Sequence, residues 1–194
     1  MADDALMAFQ HRLCVTTNAS NKITWAEKKP QNYEADDFLL LLRSLTANDG
    51  SSTFSLGDEL PGLPASINKL CTCCGISIDA SDQPNLNKGW ANASWETKQR
   101  IVADHTYFEM GAYYFLSHDP RVPEKVRARF GQYGLCRDEF TSNGGIPVQL
   151  YVRISNRLVG DYVMTRNNMY PQAKGNVSIA VGDWSLDEHM TGKY

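Results

Sequence analysis

Residues 94–133, SWETKQRIVADHTYFEMGAYYFLSHDPRVPEKVRARFGQY, read as two helices joined by a tight turn. Ser94 is a capping residue ahead of a long run, and Ile101, Tyr107 or Phe108, Met110 or Gly111, Tyr114 and Phe115 recur near helical spacing. Gly111 costs some helix propensity and suggests close packing. Asp119-Pro120 stops the first helix, and Pro123 opens a second that ends before Gly134. The reading predicts helices over about 94–117 and 123–133, with Arg127 and Arg129 solvated. An antiparallel helical pair of this kind needs a sheet or further helices to cover its apolar face.

N-terminal to the pair, Phe9, His11, Leu13 and Val15 alternate with Gln10, Arg12, Cys14 and Thr16, which predicts a strand with mixed faces over 5–17. Residues 18–33 read as a loop. Glu34–Ala47 reads as a helix, with Glu34, Asp36 and Asp37 in its first turn and Phe38, Leu41, Leu42 and Leu45 as its buried stripe. Residues 48–93 are rich in Gly, Pro, Ser, Asn and Asp and read as an irregular insertion. C-terminal to the pair, Gly144-Gly145 marks a turn and Pro147 pushes Ile146 toward an extended backbone. Strands are predicted at 157–165 and 177–181. The fold class is α+β, a mixed sheet with a helical hairpin, in a single domain over 1–194.

Composition narrows the function. A 42% hydrophobic and 10% aromatic content suits a packed core in a chain of 194 residues. A net charge of −3 without runs of one sign argues against a nucleic-acid stripe or a polybasic membrane patch. The longest apolar run, Phe38–Leu42, is too short to span a bilayer, and the acidic start MADDALMAFQ is not a secretory signal. Five cysteines, an odd number, do not read as a disulfide framework. The expected location is cytoplasmic, with the Asn-x-Ser triplets at Asn18, Asn92 and Asn176 arising by chance.

Several groups are candidates for chemistry. Arg153 and Arg157, four apart, present guanidiniums suited to an anionic group held in two-pronged geometry; the alternative is surface pairing with Asp138, Glu139 or Asp161. His189, beside Asp187 and Glu188, is a candidate acid or base; the alternative is an exposed terminal histidine. Gly144 and Gly145 offer backbone amides to an oxyanion or phosphate, or form a plain turn. Cys71, Cys73 and Cys74 have poor spacing for zinc. His105 is read as structural or solvent-facing. The chain contains no G-x-G-x-x-G between a strand and a helix, no Walker A, no H-E-x-x-H and no G-x-S-x-G.

GGIPVQLYVRISNRLVGDYVMT (144–165) resembles a segment of the FAD-dependent oxidoreductase family of xanthan-lyase-like type, in which GGxPxQLYVREXRRMVGDYVMT is typical. Arg153 and Arg157 match its first and last arginines, whereas Ile154 and Asn156 replace Glu and Arg. AFQHRLCVT (8–16), YFEMGAYYFLSHDPRVPEKVRARFGQYGLCRDEF (107–140) and VGDWSLDEHM (181–190) are similar to further segments of that family. The resemblance implies FAD as cofactor and an interior, substrate-side region of a longer flavoenzyme, without the N-terminal dinucleotide fingerprint and the C-terminal flavin-binding segment. In that setting an organic small-molecule substrate is oxidised by hydride transfer to flavin. Arg153 and Arg157 hold an anionic group, His189 oriented by Asp187 accepts a proton, and Tyr151 and Tyr162 line the pocket. A second chain supplying the flavin domain, or a homo-oligomer, is the implied partner. Two readings stand beside it: a non-enzymatic interaction module or half of a split flavoenzyme, and a metal protein built on the cysteine cluster.

Overall fold

In the computed structural model, the structure describes residues 6–47, 69–71, 85–156, 158–163, 165 and 168. The chain pairs a small antiparallel sheet with helices, a mixed α+β architecture as expected. The strands are β1 (Cys14–Thr16), β2 (Lys22–Thr24), β3 (Leu70–Cys71) and β4 (Gly134–Cys136), in the order β2-β4-β1-β3. β4 enters between β1 and β2, pairing Leu135 with Val15 on one side and with Ile23 on the other. Strands of two or three residues cannot bury much by themselves, so the sheet depends on the helices packed against it.

The helices follow their sequence signals. A 3-10 turn over Ala35–Phe38 leads into α1 (Leu39–Ala47). Ser94 caps α2 (Trp95–His118), its hydroxyl accepting from the Thr97 amide at 3.3 Å. Pro123 is the N-cap of α3 (Glu124–Gln132), one position before the helix rather than at its first residue. The α2–α3 turn is held by Asp119, which receives the Arg121 amide and guanidinium at 2.8–2.9 Å. Arg127 is half-buried rather than solvated: its guanidinium donates to the Val122 carbonyl at 2.9 Å, fixing the same turn. Arg129 is exposed as expected.

α2 runs through the core. Met110–Tyr113, Phe115 and Leu116 are all buried, so its C-terminal half is covered around most of its circumference and not along one stripe. Tyr113, rather than Tyr114, carries the deepest contact: its ring stacks on Trp25 at 4.4 Å, and the Trp25 indole N–H donates to the Phe130 carbonyl at 3.0 Å. Gly111 is where α2 meets the ring of Phe38, and a Cβ at that position would overlap the Phe38 ring. Phe38 in turn stacks between Tyr33 and Phe115.

A second, smaller cluster sets the site. Phe9, Ile101 and Leu150 are buried together, with Trp90 and Val152 against them. Phe9, His11, Leu13 and Val15 are buried as expected, but so are Gln10 and Thr16, so the expected alternation holds only around Arg12 and Cys14. Only Cys14–Thr16 is strand; the preceding segment makes a single bridge, Gln10 to Tyr151. The predicted strand at 157–165 does not form over its described residues. Leu158, Val159, Tyr162 and Val163 are exposed, in bends and irregular chain: the β-branched and aromatic content has no buried face to fill. The predicted strand at 177–181 and most of the 48–93 insertion lie outside the described residues.

Candidate functional site

The Gln10–Tyr151 bridge brings the N-terminal segment against the chain following the Gly-Gly turn, with the Tyr151 amide donating to the Gln10 carbonyl at 2.8 Å. Side chains from both segments converge there. The Arg12 guanidinium lies over the Tyr151 ring, 3.5 Å from its centre, and that of Arg153 lies 5.3 Å from the same centre. Stacking engages the face of a guanidinium and leaves its in-plane N–H donors for an anion. Arg12 is exposed and, among the described residues, makes no ion pair. Arg153 is half-buried and donates to the Ala8 carbonyl, so it also ties the two segments together. Two fixed positive charges on one half-exposed phenol ring form a platform for a planar anionic group.

Beneath this platform the N-terminal segment presents His11 to α2. The His11 amide donates to Glu109 Oε1 at 2.8 Å, and its ring Nδ1 lies 3.3 Å from Oε2, all in the interior. One turn earlier on α2, His105 is buried, not solvent-facing, and its Nδ1 lies 2.7 Å from the Ile101 carbonyl. Because a carbonyl only accepts, that contact puts the proton on Nδ1. Burial pushes the His105 pKa down from 6.5 to about 4, and the neighbouring His11 acts in the same direction. His105 is therefore neutral near pH 7. The Nε2 atoms of both histidines lack a hydrogen-bond partner among the described residues.

The Gly-Gly turn closes on itself. Gly144 and Gly145 take φ of 63° and 88°, the left-handed region that favours glycine. Their amides donate to Thr141 and Phe140 carbonyls at 3.5 and 3.1 Å, which is how a plain turn uses them. Tyr162 is exposed and away from regular structure. Asp138 and Glu139 pair with Lys69, at 2.8 and 2.6 Å. Arg157, Asp187 and His189 lie outside the described residues, as do Cys73 and Cys74. Among the described residues no group of three His, Cys, Asp or Glu converges to hold a metal, and no helix is long and apolar enough to cross a membrane.

Arg12, His11 and Glu109 were not singled out by the sequence reading. Arg12 belongs to the polar half of an alternating segment, and only the Gln10–Tyr151 bridge gives it a partner. The His105/Glu109 spacing of one helical turn was the available signal for a polar inward face.

A mixed α+β chain with a cationic aromatic platform defines a class with many possible chemistries. Family comparison narrows it: the model of the FAD dependent oxidoreductase family matches residues 1–194, and the chain belongs to that family. No curated protein matches it significantly, and neither does any solved structure.

The family implies FAD. A dinucleotide needs free amides at a helix N-terminus for its pyrophosphate. The described helices do not fit that demand. Asp36 and Asp37 stand in the turn leading into α1, Glu96 in the first turn of α2 and Glu124 in that of α3, so each N-terminus already carries negative charge. The sheet is antiparallel throughout and supplies no strand-turn-helix cradle. The described residues thus do not form a pyrophosphate site.

Proposed function

We propose that this chain supplies the substrate-facing region of an FAD dependent oxidoreductase and receives the anionic group of an organic substrate on the Arg12–Tyr151–Arg153 platform. Membership of the family supports the reaction class. The observation that carries the substrate reading is the pair of guanidiniums over one half-exposed ring, at 3.5 and 5.3 Å. Arg12 is the group free to engage the ligand, and Arg153 positions Tyr151 while adding positive charge. Arg157, Asp187 and His189 complete the proposed site as a third cation and a carboxylate-oriented base, on the strength of their motif positions.

Calorimetric titration with benzoate and with benzyl alcohol, its neutral counterpart, tests the reading. Benzoate should bind at least ~10-fold more tightly, the equivalent of about 1.4 kcal/mol. Equal affinity for the two would remove the anionic-substrate assignment.

A further inference from the structure

Cys14 and Cys136 are brought together by the sheet. Val15 pairs with Leu135 and Thr16 with Gly134, and the same antiparallel register carried one residue further sets Cys14 opposite Cys136. Their sulfurs are 3.0 Å apart, and both residues are free thiols. Directly opposed residues in an antiparallel pair have Cα atoms about 4.5–5.5 Å apart, inside the range a disulfide spans. Bond formation brings the sulfurs closer by about 1 Å, to a bond length near 2.05 Å. The two thiols are not equivalent: Cys136 is buried and Cys14 is partly exposed.

We infer that Cys14 and Cys136 form a dithiol site that undergoes thiol–disulfide exchange with low-molecular-weight disulfides, with Cys14 as the attacking thiol and Cys136 as the resolving one. The Cys14 thiolate attacks one sulfur of the small disulfide RSSR. A Cys14–S–S–R bond forms, the S–S bond of RSSR breaks and RS⁻ leaves. Cys136 then gives up its proton to the released RS⁻, and its sulfur attacks Cys14 Sγ. The Cys14–Cys136 bond forms as the second RS⁻ departs and takes a proton from solvent. Two protein thiols lose two electrons between them, and RSSR is reduced to two RSH.

The surroundings divide the roles in the same way. Cys136 beside it draws the Cys14 thiol below its ordinary pKa, against the opposing effects of burial and the Glu139 and Asp138 carboxylates, with the Lys69 ammonium a smaller help. Cys14 and burial push Cys136 upward. A lowered thiol at the accessible position favours first attack there. Cys71 is the main-chain partner of Cys14 on β3, so exchange to a Cys14–Cys71 bond is the competing outcome that a test must separate.

The reduced chain is exposed to oxidised glutathione, acid-quenched and alkylated, and its peptides are mapped by mass spectrometry. The linked Cys14–Cys136 peptide should dominate, and in urea that preference should vanish. In Cys136→Ser, Cys14 should accumulate as the mixed disulfide with glutathione. In Cys14→Ser, Cys136 should stay reduced at least tenfold longer. A dominant Cys14–Cys71 link, a linkage pattern unchanged by urea, or a Cys14 that remains alkylatable throughout would overturn the assignment. The wild-type linkage map decides the matter even if a serine variant fails to fold.

Discussion

Gly111 of α2 lies against the ring of Phe38 with no room for a Cβ between them. The contact joins the long helix to the turn leading into α1, and Phe38 is itself stacked on Tyr33 and Phe115. Gly111→Ala would ordinarily stabilise a helix interior by up to about 1 kcal/mol. Here the added methyl displaces a ring held on both sides. The substitution should therefore cost about 1–3 kcal/mol, the usual range for overpacking. Urea denaturation measures it, and the double variant Gly111→Ala/Phe38→Leu should recover part of the loss.

His105 makes stability depend on acidity in a predictable direction. Its folded pKa, about 4, lies below its ordinary value of 6.5. The unfolded state therefore binds a proton that the folded state refuses between those two values. Stability falls as pH drops through that window, by roughly 3 kcal/mol from this residue, and is unaffected by it above pH 6.5. The difference in unfolding free energy between wild type and His105→Leu, measured at pH 7.5 and pH 4, should shift by about that amount in favour of the variant at the lower pH.

Glu109 is held inside the protein by His11, whose amide and ring both face its carboxylate. Glu109→Ala leaves the buried His11 amide without that acceptor, at a cost of about 1–3 kcal/mol. Glu109→Gln retains an acceptor oxygen and should cost less. Chemical denaturation of the two variants side by side checks the order. Loss of the tie should also loosen the 8–13 segment, which hydrogen exchange at the Tyr151 amide would register, since that amide donates to Gln10.

The helices were legible because their signals are local. Ser94, Asp119-Pro120 and Pro123 mark the ends of α2 and α3, and Phe38, Leu41 and Leu45 mark the buried side of the α1 region. Of the sheet, only β1 was legible, inside the strand expected over 5–17. The strands are two or three residues long, and β4 reaches its place between β1 and β2 from more than a hundred residues away. Apolar content misled at Leu158, Val159, Tyr162 and Val163, which are β-favouring in type but exposed. In the candidate site, Tyr151 and Arg153 were visible as chemistry. Their neighbours Arg12 and Ala8 were not, because the contacts form only when residues 8–12 and 151–153 are brought together.

Arg12 is the residue through which the cationic platform over Tyr151 should receive an anionic substrate group, and it is exposed, so it can be changed without disturbing the core. The measurement is the benzoate dissociation constant of wild type, Arg12→Ala and Arg12→Lys at low and high salt. A charge-assisted contact is worth about 1.5–3 kcal/mol, so Arg12→Ala should weaken binding by roughly 10-fold or more. Arg12→Lys should recover only part of it, since lysine keeps the charge but not the planar fork. Unchanged affinity in Arg12→Ala, with the variant folded, would mean that the platform is not where the anion binds.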